Sequence, residues 1–215
     1  MKKSLLIIAV ALTTAIASKA QVAAGNFVLT GGIGFSSDKD DTPAEPRTNT
    51  FFFTPKFGYF FTDRLAAGIL LNVNNSSTKT IAFVPVPGPP AGFNTISTTS
   101  DLTSVTGGVF GRYYVPINES FFFWGELDLL FGSQKVSTTV RNEDTNAETT
   151  TSVKGGVMDI ALIPGFSYFP STRYSIDLSV GRFGVRNAKM GTVTNTNTQA
   201  RFDLANVTVG ASIFF

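Results

Sequence analysis

The stretch FFFTPKFGYFF, residues 51–61, decides the reading of the fold. Its odd positions are Phe51, Phe53, Pro55, Phe57, Tyr59 and Phe61; the even positions between them are Phe52, Thr54, Lys56, Gly58 and Phe60. Side chains alternate across a β-strand with period two, so the stretch predicts a strand with one continuously apolar face and one mixed face that carries a lysine. MDIALIPGFSY (158–168) repeats the pattern, setting Met158, Ile160, Leu162, Pro164, Phe166 and Tyr168 against Asp159, Ala161, Ile163, Gly165 and Ser167. YSIDLSVG (174–181) does so again, with Tyr174, Ile176, Leu178 and Val180 on one side. A soluble sheet would bury such a face. Here the expected strands run to about 11–17 residues, against about 5 or 6 in globular proteins. Their apolar faces also end in aromatic clusters, as an interfacial girdle does. The apolar face is therefore expected to meet lipid.

The connections point the same way. FGYFF-TDR-LAAG (57–68), RYYV-PINES-FFFWGE (112–126) and SYF-PSTR-YSIDL (167–178) are short turns of one grammar. Longer polar segments lie between them, at about 38–48, 79–99, 140–150 and 187–198. Short turns on one side and long loops on the other are what a transmembrane β-barrel requires. Counting predicts eight strands, near 25–37, 49–61, 65–78, 100–115, 121–139, 151–169, 174–187 and 199–215. An even number returns both ends to the periplasmic side. An open sheet would leave unpaired N–H and C=O groups in hydrocarbon, so the sheet must close. The expected class is all-β, an eight-stranded antiparallel up-and-down transmembrane β-barrel. Glycines inside the strands, among them Gly31, Gly32, Gly34, Gly107, Gly108, Gly111, Gly155 and Gly156, relieve crowding in a narrow barrel. TGGVFGR (106–112) is no phosphate loop, since no Lys-Ser/Thr and no helix follow it.

Ahead of the strands, Met1-Lys2-Lys3, the apolar run Ser4 to Ala17 and Ser18-Lys19-Ala20 read as a secretory signal cleaved after Ala20. The domain division expected is thus signal peptide 1–20 and barrel 21–215. The whole chain carries 17 basic and 15 acidic residues; losing Lys2, Lys3 and Lys19 leaves it close to neutral, with no basic patch for nucleic acid. Cysteine and histidine are both absent. That removes disulfides, a lipidated N-terminal cysteine, Ser-His-Asp catalysis and histidine zinc sites. Neither metal nor cofactor is expected.

The motifs FGYFFTDRLAAGIL, RYYVP…FFFWGE, PGFSYFPSTRYSIDLSVG and TVGASIFF together resemble the outer-membrane β-barrel domain proteins common in Bacteroidetes, small barrels of OmpA and OmpX architecture. The resemblance covers essentially the whole mature chain. It implies an address in the bacterial outer membrane and no shared catalytic signature.

If the apolar faces meet lipid, Lys56, Arg112, Glu126, Asp128, Asp159 and Asp177 face the lumen. Buried charges must be paired, and two bases face four acids here, an excess that calls for waters or a protonated carboxyl. The same set admits two readings: a salt-bridge network filling a narrow barrel, or a gated path for small ions or solutes. Glu126 with Asp128 makes a poor glycosidase pair, because no sugar polymer reaches into such a barrel. The same parity puts Arg182 on the lipid face, where it would snorkel to phosphates. The prolines of VPVPGPPAG (84–92) stiffen the external loop 79–99. That loop and 140–150 are the candidate contacts for an extracellular partner.

The remaining partners expected are outer-membrane lipid, lipopolysaccharide and, during insertion, the barrel-assembly machinery. The resemblance makes Phe215 the assembly signal recognised by that machinery. In the last strand Val207, Val209, Ala211, Ile213 and Phe215 form one apolar face. Phe202 and Leu204 fall off that phase, which predicts a bulge or an external extension nearby. The function expected is non-enzymatic: envelope structure and surface interaction. A narrow pore is the alternative, and a secretion or assembly accessory a further one.

Overall fold

The computed structural model describes residues 22–39, 46–86, 92–202 and 208–215. The expected signal peptide lies outside the described residues. Ten strands follow one another: β1 Phe27–Lys39, β2 Arg47–Phe60, β3 Leu65–Val86, β4 Gly92–Pro116, β5 Phe121–Asn142, β6 Glu148–Ser171, β7 Tyr174–Ser179, β8 Gly181–Met190, β9 Val193–Phe202 and β10 Thr208–Phe214. All pairings are antiparallel. Each strand from β1 to β6 pairs with the next, β6 pairs with both β7 and β8, β7 pairs with β10, and β10 pairs with β1. The ring closes. β8 continues the wall strand that β7 begins, and β9, paired with β8, precedes β10 in the last one. The wall therefore has eight strands and meets the sequence expectation.

Burial follows the two-residue period of the chain. On β5, Trp124, Glu126, Asp128, Leu130 and Gln134 are buried, while Phe121, Phe123, Leu127 and Phe131 are exposed. The exposed set forms an apolar outer band, in which Ile69 is 64% accessible. Only a lipid surround makes such exposure favourable, since each face in water would cost roughly 25 cal/mol per Å². Three lumenal aromatic rings lie against glycines. A Cβ on Gly34 would meet the Phe52 ring at 2.3 Å, one on Gly58 the Phe110 ring at 2.8 Å, and one on Gly165 the Trp124 ring at 2.2 Å.

Two expectations are corrected. The segments read as long loops are mostly strand: β3 and β4 remain paired out to Val86 and Gly92, and β5 and β6 out to Arg141 and Glu148. Runs of Thr, Ser and Asn interrupt the apolar face there, so the sequence signal weakened where the sheet left the lipid, although Phe83, Val84 and Phe93 stand exposed near the β3–β4 tip. Cross-strand hydroxyl contacts such as Thr48–Thr78 at 3.1 Å and Thr139–Thr150 at 2.9 Å accompany the backbone ladder there. The prolines Pro87, Pro89 and Pro90 lie outside the described residues.

The second correction concerns the seventh wall strand. Between the pairs Gly165–Ser179 and Leu162–Phe183, two residues of β6 face three of the partner strand. Pro164 has no N–H to donate; its carbonyl accepts from Val180 N at 3.0 Å. This β-bulge shifts the phase by one residue. Val180 is buried, not lipid-facing, and every even position beyond it turns inward. In the last wall strand Gln199 lines the lumen, as do Thr208 and Gly210. Odd positions thus face inward in β9 and even positions in β10. Leu204 and the side chain of Phe202 lie outside the described residues.

Candidate functional site

At the short-turn end the strands bring large apolar side chains inward. Phe60 ends β2, Ala66 is the second residue of β3, Tyr114 nears the end of β4, and Trp124, Phe169 and Phe214 arrive from β5, β6 and β10. With Val22 and Val28 they form one buried cluster, and Phe122 and Ile163 pack against it. Ring centroids stand 5.6 Å apart for Phe60–Tyr114, 6.0 Å for Phe60–Phe214 and 5.1 Å for Phe169–Phe214. These contacts floor the lumen with aromatic rings.

Directly against this floor sits a charged network. Arg112 and Glu126 are register partners on β4 and β5, and Arg112 Nε donates to Glu126 Oε2 at 2.7 Å. The same guanidinium crosses the lumen to β7, where Nη1 donates to Asp177 Oδ2 at 3.0 Å. Its plane lies 4.2 Å from the Trp124 ring, a cation–π contact that joins network to floor. Lys56 reaches from β2 across to β5; its Nζ donates to Glu126 Oε1 and, at 2.9 Å, to Asp128 Oδ2. Asp177 accepts further bonds from Ser167 at 2.6 Å, Ser175 at 2.8 Å and Ser212 at 2.5 Å. Five of the six charges expected in the lumen therefore lie in one connected, buried set.

Asp159 is buried but not part of it. Its partner is Arg182, whose Nη2 donates to Asp159 Oδ1 at 2.6 Å with a side chain 33% exposed. The expectation that Arg182 snorkels along the lipid face is therefore wrong, and the bulge at Val180 is the reason. The same shift carries Arg186 inward, where Nη2 donates to Gln134 Oε1 at 3.1 Å and to Ser104 Oγ at 3.4 Å. Sequence parity missed both arginines because a bulge leaves no periodic signal of its own; Pro164 in the facing strand was the available clue. With them, Lys56, Arg112, Arg182 and Arg186 balance Glu126, Asp128, Asp159 and Asp177 among the described lumenal side chains. The apparent excess of acid disappears.

A cavity of about 300 Å³ lies among Thr54, Asn72, Lys56, Asp128, Arg182 and Gln199. Every carboxylate around it already holds a cation, so none is left as a free general base or nucleophile. Among the described residues, no group of three or more His, Cys, Asp or Glu side chains is placed to hold a metal ion.

Phe215 sits at the seam of the ring. Phe27 N donates to Phe215 O at 2.7 Å, and Phe215 N to Phe27 O at 3.0 Å. Its ring stacks 6.1 Å from that of Phe27. On the far side, the β5–β6 turn is tied to β4 by Ser97 Oγ to Glu143 Oε1 at 2.6 Å and Thr95 N to Asp144 Oδ2 at 2.7 Å.

Several solved outer-membrane proteins are similar to this chain. The Ail attachment invasion locus protein of Yersinia pestis is 18% identical, over 89% of this chain and 99% of that one, with a TM-score of 0.37. Neisserial surface protein A is 13% identical over 89% and 98%, TM-score 0.37. OprG from Pseudomonas aeruginosa is 13% identical over 93% and 99%, TM-score 0.37. Among curated proteins no relative matches. A family model for the outer membrane protein beta-barrel domain matches residues 6–215, and the chain belongs to that family.

Proposed function

We propose that this protein is a closed, non-enzymatic outer-membrane barrel of the Bacteroidetes type, delivered by a signal peptide cleaved after Ala20, whose role is envelope structure and surface interaction. The observation that carries the reading is the blocked lumen. Charges tied across the bore from β2 to β5 and from β4 to β7 lie against a floor of Phe60, Tyr114, Trp124, Phe169 and Phe214. An ion crossing this bore would have to part buried ion pairs and then pass between packed rings. The outer end supports the second half of the reading. β3, β4, β5 and β6 have 22, 25, 22 and 24 residues, roughly twice the 9–11 that a membrane crossing takes. Their paired ends form a platform beyond the lipid, largely polar but with Phe83, Val84 and Phe93 exposed near the β3–β4 tip, and this is the surface on which an extracellular partner would dock. Phe215 serves in this reading as the signal to the assembly machinery.

Planar-bilayer recording tests it. The folded protein is expected to add no unit conductance above background. The cavity near Lys56 favours the second reading, a narrow solute path; discrete current steps that change in Lys56→Ala would establish that path and defeat the proposal.

A further inference from the structure

Hydrogen-bond donors and acceptors are unevenly used around the lumenal cavity. The carboxylates of Glu126, Asp128 and Asp177 line it, and both oxygens of each accept a hydrogen bond. Lys56 Nζ supplies Glu126 Oε1 and the two oxygens of Asp128, at 3.2 and 2.9 Å. Arg112 supplies Glu126 Oε2 and Asp177 Oδ2, while the hydroxyls of Ser167 and Ser175 supply Asp177 Oδ1. The acid side of the cavity is saturated.

Arg182 is the opposite case. It lines the same cavity with a side chain 33% exposed. A guanidinium carries five N–H groups, and here one on Nη2 donates to Asp159 Oδ1 at 2.6 Å. Among the described residues, Nε and Nη1 donate to nothing. The wall also carries neutral polar side chains, Thr54, Asn72 and Gln199, and apolar ones, Leu130 and Ile163. With its acceptors occupied and a guanidinium fork open, the cavity selects a ligand that accepts hydrogen bonds. A planar anion fits best, because two parallel N–H groups match two carboxylate oxygens. The volume of about 300 Å³ and the apolar side chains admit a short carbon chain behind the carboxylate. The charged network and the aromatic floor close the short-turn side, and Gln199 is exposed on the other.

We propose that the lumen above the network is a dead-end binding cup for a small monocarboxylate, gripped by Arg182 with its chain against Leu130 and Ile163. The proposal rests on the reading of the barrel as closed at its floor. Bilayer recording reads the floor and ligand binding reads the cup, so current through the bore and an empty cup are separate failures.

Trp124 is the single tryptophan of the chain and lines the cavity, so its fluorescence reports occupancy. The folded barrel in neutral detergent micelles is titrated with β-bromopropionate, whose bromine quenches indole emission on contact. A parallel titration uses the matching bromopropanol, which has the chain without the charge. Wild type is expected to show saturable quenching by the acid at concentrations at least about tenfold below those the alcohol needs, the least that a hydrogen bond to a charged group contributes. Arg182→Gln, which can still donate to Asp159, should bring the acid down to the level of the alcohol. Equal quenching of wild type by the two probes overturns the proposal, as does a preference that persists in Arg182→Gln. Should that variant not refold, displacement decides: excess propionate must restore wild-type emission where propanol does not, and no restoration by propionate overturns the cup.

Discussion

Glu126, only 1% exposed, accepts from both Lys56 and Arg112 and so joins two cations that reach across the lumen in different directions. Replacing it by leucine leaves Lys56 with Asp128 and Arg112 with Asp177, but removes the acceptor of one buried bond from each cation and leaves Arg112 Nε without its partner. A hydrogen bond to a charged group contributes about 1.5–3 kcal/mol, and Glu126→Leu, which removes two, is expected to lose about 3–5 kcal/mol in urea-unfolding titrations of the refolded barrel. Asp159→Asn makes the contrast. Its partner Arg182 is one-third exposed, so water takes up much of the loss, and the cost should stay near about 1 kcal/mol. Equal effects of the two changes would mean that the network is no more buried than the outer pair. The inward direction of Lys56, Arg112, Glu126, Asp128, Asp159 and Asp177 was legible from strand phase alone. Their pairing was not, because partners 65 and 70 residues apart meet only when the ring closes.

One residue sets the charge balance of the lumen. Val180 occupies the bulge opposite Pro164, and because of it Arg182 and Arg186 lie inside with Asp159 and Gln134. Deleting Val180 would leave two residues of β6 facing two, restore a single phase along β7 and β8, and keep both arginines in the lumen beside Asp159 and Gln134. A cation near the bilayer midplane of a barrel costs about 2–4 kcal/mol on the lipid face. The deletion variant avoids that cost and is therefore expected to refold, shown by the fast-migrating species on unheated gels. Failure of the deletion variant to refold would show that the bulge itself, and not only the inward phase beyond it, is required. No pattern of hydrophobicity foretold it, since a shift of one residue between two acceptable phases depends on how the neighbouring strand is hydrogen-bonded.

Across the whole barrel, the fixed parts lie at the short-turn end and the platform at the other. The aromatic floor, the charged network and the Phe27–Phe215 seam are all near the short turns. Thr80 and Thr98 face each other across the β3–β4 ladder, and replacing residues 81–97 between them by Asn-Gly should close a shorter hairpin without disturbing the barrel. The shortened protein should keep the mobility difference between unheated and boiled samples. Loss of that difference would mean that the platform contributes to closure. The alternation of side chains, the aromatic clusters and the short turns determined by themselves that this chain is a lipid-facing, eight-stranded barrel, because each is a local property of a strand in a membrane. The tertiary structure alone decided the length of the external hairpins, the inward turn of Arg182 and Arg186 and the pairing of the lumenal charges. Those depend on register across neighbouring strands, and register is a relation between distant parts of the chain.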